Sequence, residues 1–217
     1  MECEKCKKIK CKYVGKKTAR NQRREVWDIL KQLNEKLKEN NKKGFSQRLV
    51  GSSKRNMVFR HGNEIYDTDI QLEFLSPTSK DLEPEFKDEL NTMLKDIIPE
   101  NWTTKISTSV ITVNKCDDDG EQKHFFDLAI IRKKGDSKQI LRGKSLDKTG
   151  EDYFKWEDLS NYNKAYDKFR DASRDEIQKI KQKYLKRKCE NRDIEKEDLN
   201  HRSSSQLFVE SVNSIIK

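Results

Sequence analysis

The hydrophobic pattern switches between a helical period and a two-residue period along the chain. In residues 18–40, Val26, Ile29, Leu30, Leu33 and Leu37 fall on one stripe amid Lys, Glu and Asn. That spacing predicts an amphipathic helix, closed by Asn40-Asn41-Lys42-Lys43-Gly44. Residues 45–52 read as a strand feeding a Gly-Ser turn. Residues 53–60 read as a short basic helix with Gly62 as its exit, and 66–75 as a second strand. After the loop Ser76-Pro77-Thr78-Ser79, a helix is predicted near 83–98, with Pro84 in its first turn. Phe86, Leu90, Met93, Leu94 and Ile97 form its buried side, and Pro99 stops it.

The second half begins with β-branched residues. Residues 105–115 read as one strand, Asp117 to Gly120 as a turn, and 124–132 as its hairpin partner. Residues 133–158 are mixed, broken by Gly135, Gly143 and Gly150, and are a candidate acceptor or base pocket. A single long helix is predicted from 160 to 189, with Tyr162, Tyr166, Phe169, Ile177, Ile180 and Tyr184 near helical register. Ser203-Ser204-Ser205 would cap a last helix burying Leu207, Phe208, Val212, Ile215 and Ile216. The expected class is therefore α+β: a small mixed β-sheet core with flanking helices and a C-terminal helical appendage. The division expected is 1–17, a basic Cys-bearing segment; 18–150, the core; and 151–217, the helical region.

Charge narrows the partners. Of 217 residues, 39% are charged and the net charge is +9, so the surface favours acidic partners: nucleotides, nucleic acid such as RNA, or anionic lipid. A plain Lys-rich solvated surface explains most of that balance. No apolar run reaches the length of a membrane span, and the start MECEKCKKIK lacks an apolar signal core. Five cysteines without such a signal predict reduced thiols in a cytoplasmic protein. Cys3 and Cys6 have C-x-x-C spacing, with Cys11 close by, which suits two or three thiolates on Zn²⁺. A closed site would need another ligand from Cys116, Cys189, His61, His124 or His201, and a loosely ordered basic tail is the preferred reading.

The chemistry concentrates on acids. Alternation along a strand points Asp67 and Asp69 to the same side, with Ile70, Leu72 and Phe74 towards a core. Two carboxylates side by side repel unless a cation lies between them, and a hard divalent ion is the simplest partner. Asp127 stands alone in the apolar run HFFDLAIIR, where an unpartnered acid is expensive to bury. A metal shared with Asp67 and Asp69 would resolve that cost, as would a buried Lys or Arg. The Gly51-Ser52 turn into a helix offers free backbone N–H groups to phosphate, and Lys54 and Arg55 are candidate phosphate cations.

In order, Val50-Gly51-Ser52, Asp67-Thr68-Asp69-Ile70 and Asp127 in FFDLA resemble the signature of the nucleotidyltransferase superfamily typified by DNA polymerase beta. That superfamily includes poly(A) polymerases, oligoadenylate synthetases, bacterial cyclic-oligonucleotide synthases and minimal nucleotidyltransferases. The likeness covers roughly residues 18–134. One departure is the long gap between Ser52 and Asp67, which reads as an insertion at 60–64. The resemblance implies a template-independent enzyme moving a nucleoside monophosphate from NTP to a hydroxyl of a small molecule, nucleotide or RNA, with release of pyrophosphate. It implies two Mg²⁺ or Mn²⁺ ions at Asp67, Asp69 and Asp127, and phosphate held by Gly51 and Ser52 with Lys54 and Arg55. It also implies that Asp127, nearest the attacking oxygen, takes its proton. GSSKRN…DTDIQL is similar to the second-messenger synthases, although those are usually longer. The competing readings are a non-catalytic relative that binds nucleotide or RNA, and an RNA-binding module with structural acids.

Overall fold

The computed structural model describes residues 11–61, 66–74, 86–117, 119–120, 122–144, 153–159, 163–192 and 202–216. The chain divides into two compact units: one from the described residues within 15–58 and 65–159, the other from those within 1–14, 59–64 and 160–217.

The larger unit holds a seven-stranded sheet under two long helices. Helix α1 (Lys16–Glu39) buries the predicted stripe, Val26 through Leu37, and leads into β2 (Phe45–Leu49). A one-turn helix α2 (Gly51–Lys54) follows, then β4 (Asp67–Phe74), which pairs antiparallel with β2. Helix α3 (Phe86–Ile97) precedes β5 (Trp102–Ile106), β6 (Ile111–Cys116) and β7 (Gln122–Lys134). The order across the sheet is β2-β4-β7-β6-β5, and only the β4–β7 pair among these is parallel. Strands β8 (Ser137–Lys144) and β9 (Tyr153–Asp158) extend it beyond the far end of β7. One face is apolar: Ile70, Leu72, Phe74, Phe126, Leu128 and Ile130 pack with the stripes of α1 and α3. At about 25 cal/mol per Å² this burial is what holds the unit together.

Several expected elements are redrawn. The single strand 105–115 is two strands, because Ser107 turns the chain: its N–H donates to the Val110 carbonyl at 2.9 Å and its Oγ contacts Val110 as well. Lys87 of α3, fully buried, fixes that turn. Its Nζ donates to the carbonyls of Ser107 (2.6 Å), Thr108 (3.1 Å) and Gly143 (3.0 Å). The short helix expected at 53–60 ends at Lys54, since Asn56 adopts a positive φ of 53°. The mixed stretch 133–158 supplies β8 and β9.

In the smaller unit, β1 (Cys11–Tyr13) pairs antiparallel with β3 (Phe59–His61). Helices α4 (Asn163–Asp171), α5 (Arg174–Arg192) and α6 (Ser204–Asn213) complete it. The single long helix expected at 160–189 is thus broken. Ser173 and Glu176 bond reciprocally, Ser173 N to Glu176 Oε2 at 2.8 Å and Glu176 N to Ser173 Oγ at 3.3 Å, which starts a new helix. Phe208 is the hub of the packing, with Tyr166, Phe169 and Tyr184 rings 5.2–6.2 Å away. Ser203 caps α6 through a capping box with Gln206, as the serine run suggested.

The expectation of reduced thiols fails at two cysteines, while Cys116 is free. Cys11 is joined to Cys189 in a disulfide, so neither is a free thiol and Cys11 is not a zinc ligand. The physical reason is local order where a loose tail was expected. Strand pairing holds residues 11–13, and the Tyr13 hydroxyl donates to the Lys181 carbonyl at 2.5 Å, docking Cys11 against α5. Cys3 and Cys6 lie outside the described residues. Among the described residues no helix is long and apolar enough to cross a membrane.

Candidate active site

The parallel β4–β7 ladder decides where the acids meet. Asp69 is directly opposite Asp127 in that register, and Asp67 is opposite Phe125. All three carboxylates therefore leave the sheet on the face away from the apolar core. One oxygen from each of Asp67, Asp69 and Asp127 lies within 4.8 Å of the other two. The next strand adds a donor. Thr112 is opposite Asp127 in the β6–β7 ladder, and its hydroxyl donates to Asp127 Oδ1 at 2.6 Å. Burial pushes the Asp127 carboxyl above its ordinary value; the Thr112 bond opposes this and the nearby Asp67 charge adds to it.

A group of three oxygen donors with this mutual repulsion fits a hard divalent cation, which would relieve the repulsion and the burial together. Among the described residues the cluster holds carboxylates and no nitrogen or sulfur ligand, a donor set that suits Mg²⁺ or Mn²⁺ better than Zn²⁺.

The Gly51 turn closes the other side of the acids. Val50 N donates to the Asp69 carbonyl at 3.1 Å, which brings Gly51 over the Asp69 side chain. Gly51 has φ +56°, and a Cβ there would stand 2.5 Å from Asp69 Oδ2. Only glycine lets the backbone come this close. Ser52 is partly exposed at the first turn of α2, where the leading N–H groups lie outside the helical ladder. Lys54 is exposed and Arg55 half-buried, on the same short segment. Ser53, beside Ser52, is buried with its hydroxyl unpaired among the described residues.

His124 takes no part in the acid cluster, although it is on the same strand as Asp127. It lies on the reverse side, with Nε2 3.3 Å from the Thr68 hydroxyl and its ring against Tyr66 and Phe126. Burial, with Lys115 adding a little, pulls its pKa down to about 4, so it is neutral packing behind the acid strand. Sequence reasoning missed Thr112 and Lys87. Thr112 was detectable only through the β6–β7 register, and Lys87 looks like any other helical lysine until the fold buries it.

No protein-family model matches the chain, and no curated protein matches its sequence significantly. Solved structures do match in fold. A complex of Escherichia coli MS115-1 CdnC with a HORMA protein aligns at TM-score 0.58 and 14% identity, covering 94% of this chain and 62% of that one. The Elizabethkingia meningoseptica CdnE cyclic dinucleotide synthase with GTP and Apcpp aligns at 0.55 and 16%, covering 87% and 66%. The STING-associated CdnE c-di-GMP synthase of Capnocytophaga granulosa aligns at 0.58 and 11%, covering 93% and 61%. The present chain thus spans less than two thirds of these proteins. The fold is the nucleotidyltransferase fold that the resemblance of the Gly-Ser and Asp-x-Asp motifs implied.

Proposed function

We propose that this chain is a template-independent nucleotidyltransferase that moves a nucleoside monophosphate from an NTP to a hydroxyl acceptor. One observation carries the reading. Three acids from two strands, far apart in sequence, meet within 4.8 Å on one open face beside a glycine turn pressed against one of them. Carboxylates gathered this closely repel one another, and a divalent cation is the partner that relieves all three at once. The fold neighbours support the reading, since they include cyclic dinucleotide synthases and one was captured with GTP and Apcpp.

Asp67, Asp69 and Asp127 would hold two Mg²⁺ or Mn²⁺ ions, whose chemistry is to acidify the attacking hydroxyl and neutralise the triphosphate. Gly51 and Ser52 would seat the β- and γ-phosphates, with Lys54 and Arg55 offsetting their charge. The acceptor oxygen bonds to the α-phosphorus as the bond to the pyrophosphate oxygen breaks. Pyrophosphate carries away the electron pair, and the hydroxyl proton passes to Asp127.

The test is pyrophosphate release from each NTP with Mg²⁺ or Mn²⁺. Wild type should turn over, and Asp69→Asn should lose at least ~10³-fold in rate with the fold intact, as befits an electrostatic and positioning role. Turnover that survives in Asp69→Asn would sink the site assignment. No turnover with any NTP or metal would favour a non-catalytic binder of nucleotide or RNA.

A further inference from the structure

The smaller unit is assembled from separate pieces of chain: the described residues within 1–14, 59–64 and 160–217. The first two pieces meet as a ribbon of two three-residue strands, β1 and β3, with Cys11 opposite His61 and Tyr13 opposite Phe59. A two-stranded ribbon this short does not keep its order in water by itself. Its order comes from α5, in the third piece. The Cys11–Cys189 disulfide, the Tyr13 hydroxyl bond to the Lys181 carbonyl, and the Lys188 ammonium 5.7 Å from the centre of the Phe59 ring make that connection. The disulfide is the covalent member of the three, and it joins residues 178 apart in sequence. A cross-link over so long a stretch removes much of the freedom the open chain would have. Its two sulfurs differ in access. Cys189 is buried at 6% exposure, whereas Cys11 is half-buried at the start of the ribbon. A thiolate from solvent therefore reaches Cys11 first.

The ribbon is also continuous with the phosphate turn. Strand β3 begins directly after Val58. Just upstream, the N–H groups of Arg55 and Met57 donate to the Ser52 carbonyl at 3.2 and 2.9 Å, and Met57 and Val58 are buried. The chain from Ser52 to Val58 is thus folded back on itself, with β3 as its outgoing strand and no slack between them.

We propose that the Cys11–Cys189 disulfide is a redox latch on nucleotide binding. A dithiol reductant opens it, the β1–β3 ribbon loses its order, and the segment from Gly51 to Arg55 loses its hold on phosphate. One thiolate of the dithiol attacks Cys11 Sγ; the S–S bond breaks, and its electron pair leaves on Cys189, which takes a proton. The second thiolate of the dithiol then displaces Cys11 from the mixed disulfide. The reductant ends as a disulfide and the protein as two thiols, a transfer of two electrons. The opening of the ribbon stands on the smaller unit alone, and its effect on nucleotide rests on the transferase reading above.

The full chain is tested in a dithiothreitol series without denaturant. Maleimide capture and peptide mapping should show Cys11 and Cys189 becoming labelled together while far-UV circular dichroism is kept. Hydrogen exchange should then speed up about 100-fold at residues 11–13 and 59–61 and stay unchanged in β4 and β7. Affinity for an α,β-methylene NTP with Mg²⁺ should weaken about tenfold, as when a tenth of the molecules hold the binding conformation, and return on reoxidation. The double variant Cys11→Ser, Cys189→Ser should bind like the reduced protein and ignore reductant. Labelling of the pair only in urea, or exchange at 11–13 and 59–61 that reduction does not change, overturns the latch. Loss of protection in β4 and β7 together with the ribbon also overturns it, since the disulfide is then a staple of the whole fold. Nucleotide affinity that ignores reduction while the ribbon opens overturns the coupling to the phosphate turn. Reversible opening of the ribbon with no nucleotide bound in either state removes the transferase reading, and the effect on nucleotide with it, and leaves the redox opening in place.

Discussion

Gly51→Ala is the sharpest perturbation of the site, because its effect can be worked from two numbers. Gly51 is at φ +56°, where an L residue costs about 1–2 kcal/mol. The new Cβ would also stand 2.5 Å from Asp69 Oδ2 and 3.3 Å from Asp69 Cγ. An ordinary contact is longer by about 1 Å, so the carboxylate must move by that much, and displacements of that size cost about 100-fold in rate. Gly135 provides the control. It has φ +60° in the β7–β8 turn, and a Cβ there would meet nothing within 4 Å. Gly135→Ala carries the same backbone strain with no carboxylate to displace. Both variants should lose a few degrees in Tm. Pyrophosphate-release assays should then separate them, with Gly51→Ala down about 100-fold and Gly135→Ala near wild type. Equal activities would refute the claim that the glycine exists to admit Asp69, and with it the role given to the turn.

Three further outcomes are expected. Thr112→Val removes the donor to Asp127 Oδ1 at almost constant volume, so kcat should fall about tenfold while Thr112→Ser keeps it; no change in either would show the bond to be incidental. Lys87→Met leaves the Ser107, Thr108 and Gly143 carbonyls without their shared donor, and urea unfolding should show a loss of about 3 kcal/mol; a loss below about 1 would mean the clamp is dispensable. His124 titrates near its ordinary 6.5 when unfolded and at about 4 when folded, so between these values the unfolded state binds more protons. Stability should fall by about 3 kcal/mol as pH drops through that window, and the difference between wild type and His124→Phe should isolate it; parallel pH profiles would refute the assignment.

How much of this was legible beforehand depends on the kind of signal. The stripe from Val26 to Leu37 and the alternation from Asp67 to Phe74 are local periodicities, and both elements formed where they were read. The cost of burying Asp127 made a metal shared with Asp67 and Asp69 one candidate partner, but a buried Lys or Arg served equally, and the superfamily resemblance is what favoured the shared site. The break at Ser173 was readable, because Ser173 and Glu176 have capping-box spacing, but the aromatic register overrode it. The turn at Ser107 was not readable. β-branched residues run through it, and its stabiliser is a lysine twenty residues upstream. The Cys11–Cys189 pairing was beyond reach for the same reason, a separation of 178 residues with nothing local to announce it.

Glu73 of β4 and Asp127 of the paired strand β7 show how differently this fold treats two acids on one face. Glu73 shares the face of β4 with Asp67 and Asp69, and is buried. Burial alone would raise its carboxyl, but Lys138 at 2.7 Å and Arg48 at 3.6 Å, with Lys133 near, hold it below its ordinary value. The fold thus neutralises an acid on this face where the acid serves only structure. Beside the other end of β4, burial pushes the Asp127 carboxyl upward; the Thr112 bond opposes this, and the nearby Asp67 charge adds to it. Asp67, Asp69 and Asp127, by contrast, bring one oxygen each within 4.8 Å of the other two. A divalent cation at the three carboxylates would relieve that repulsion, which is the role proposed for them above.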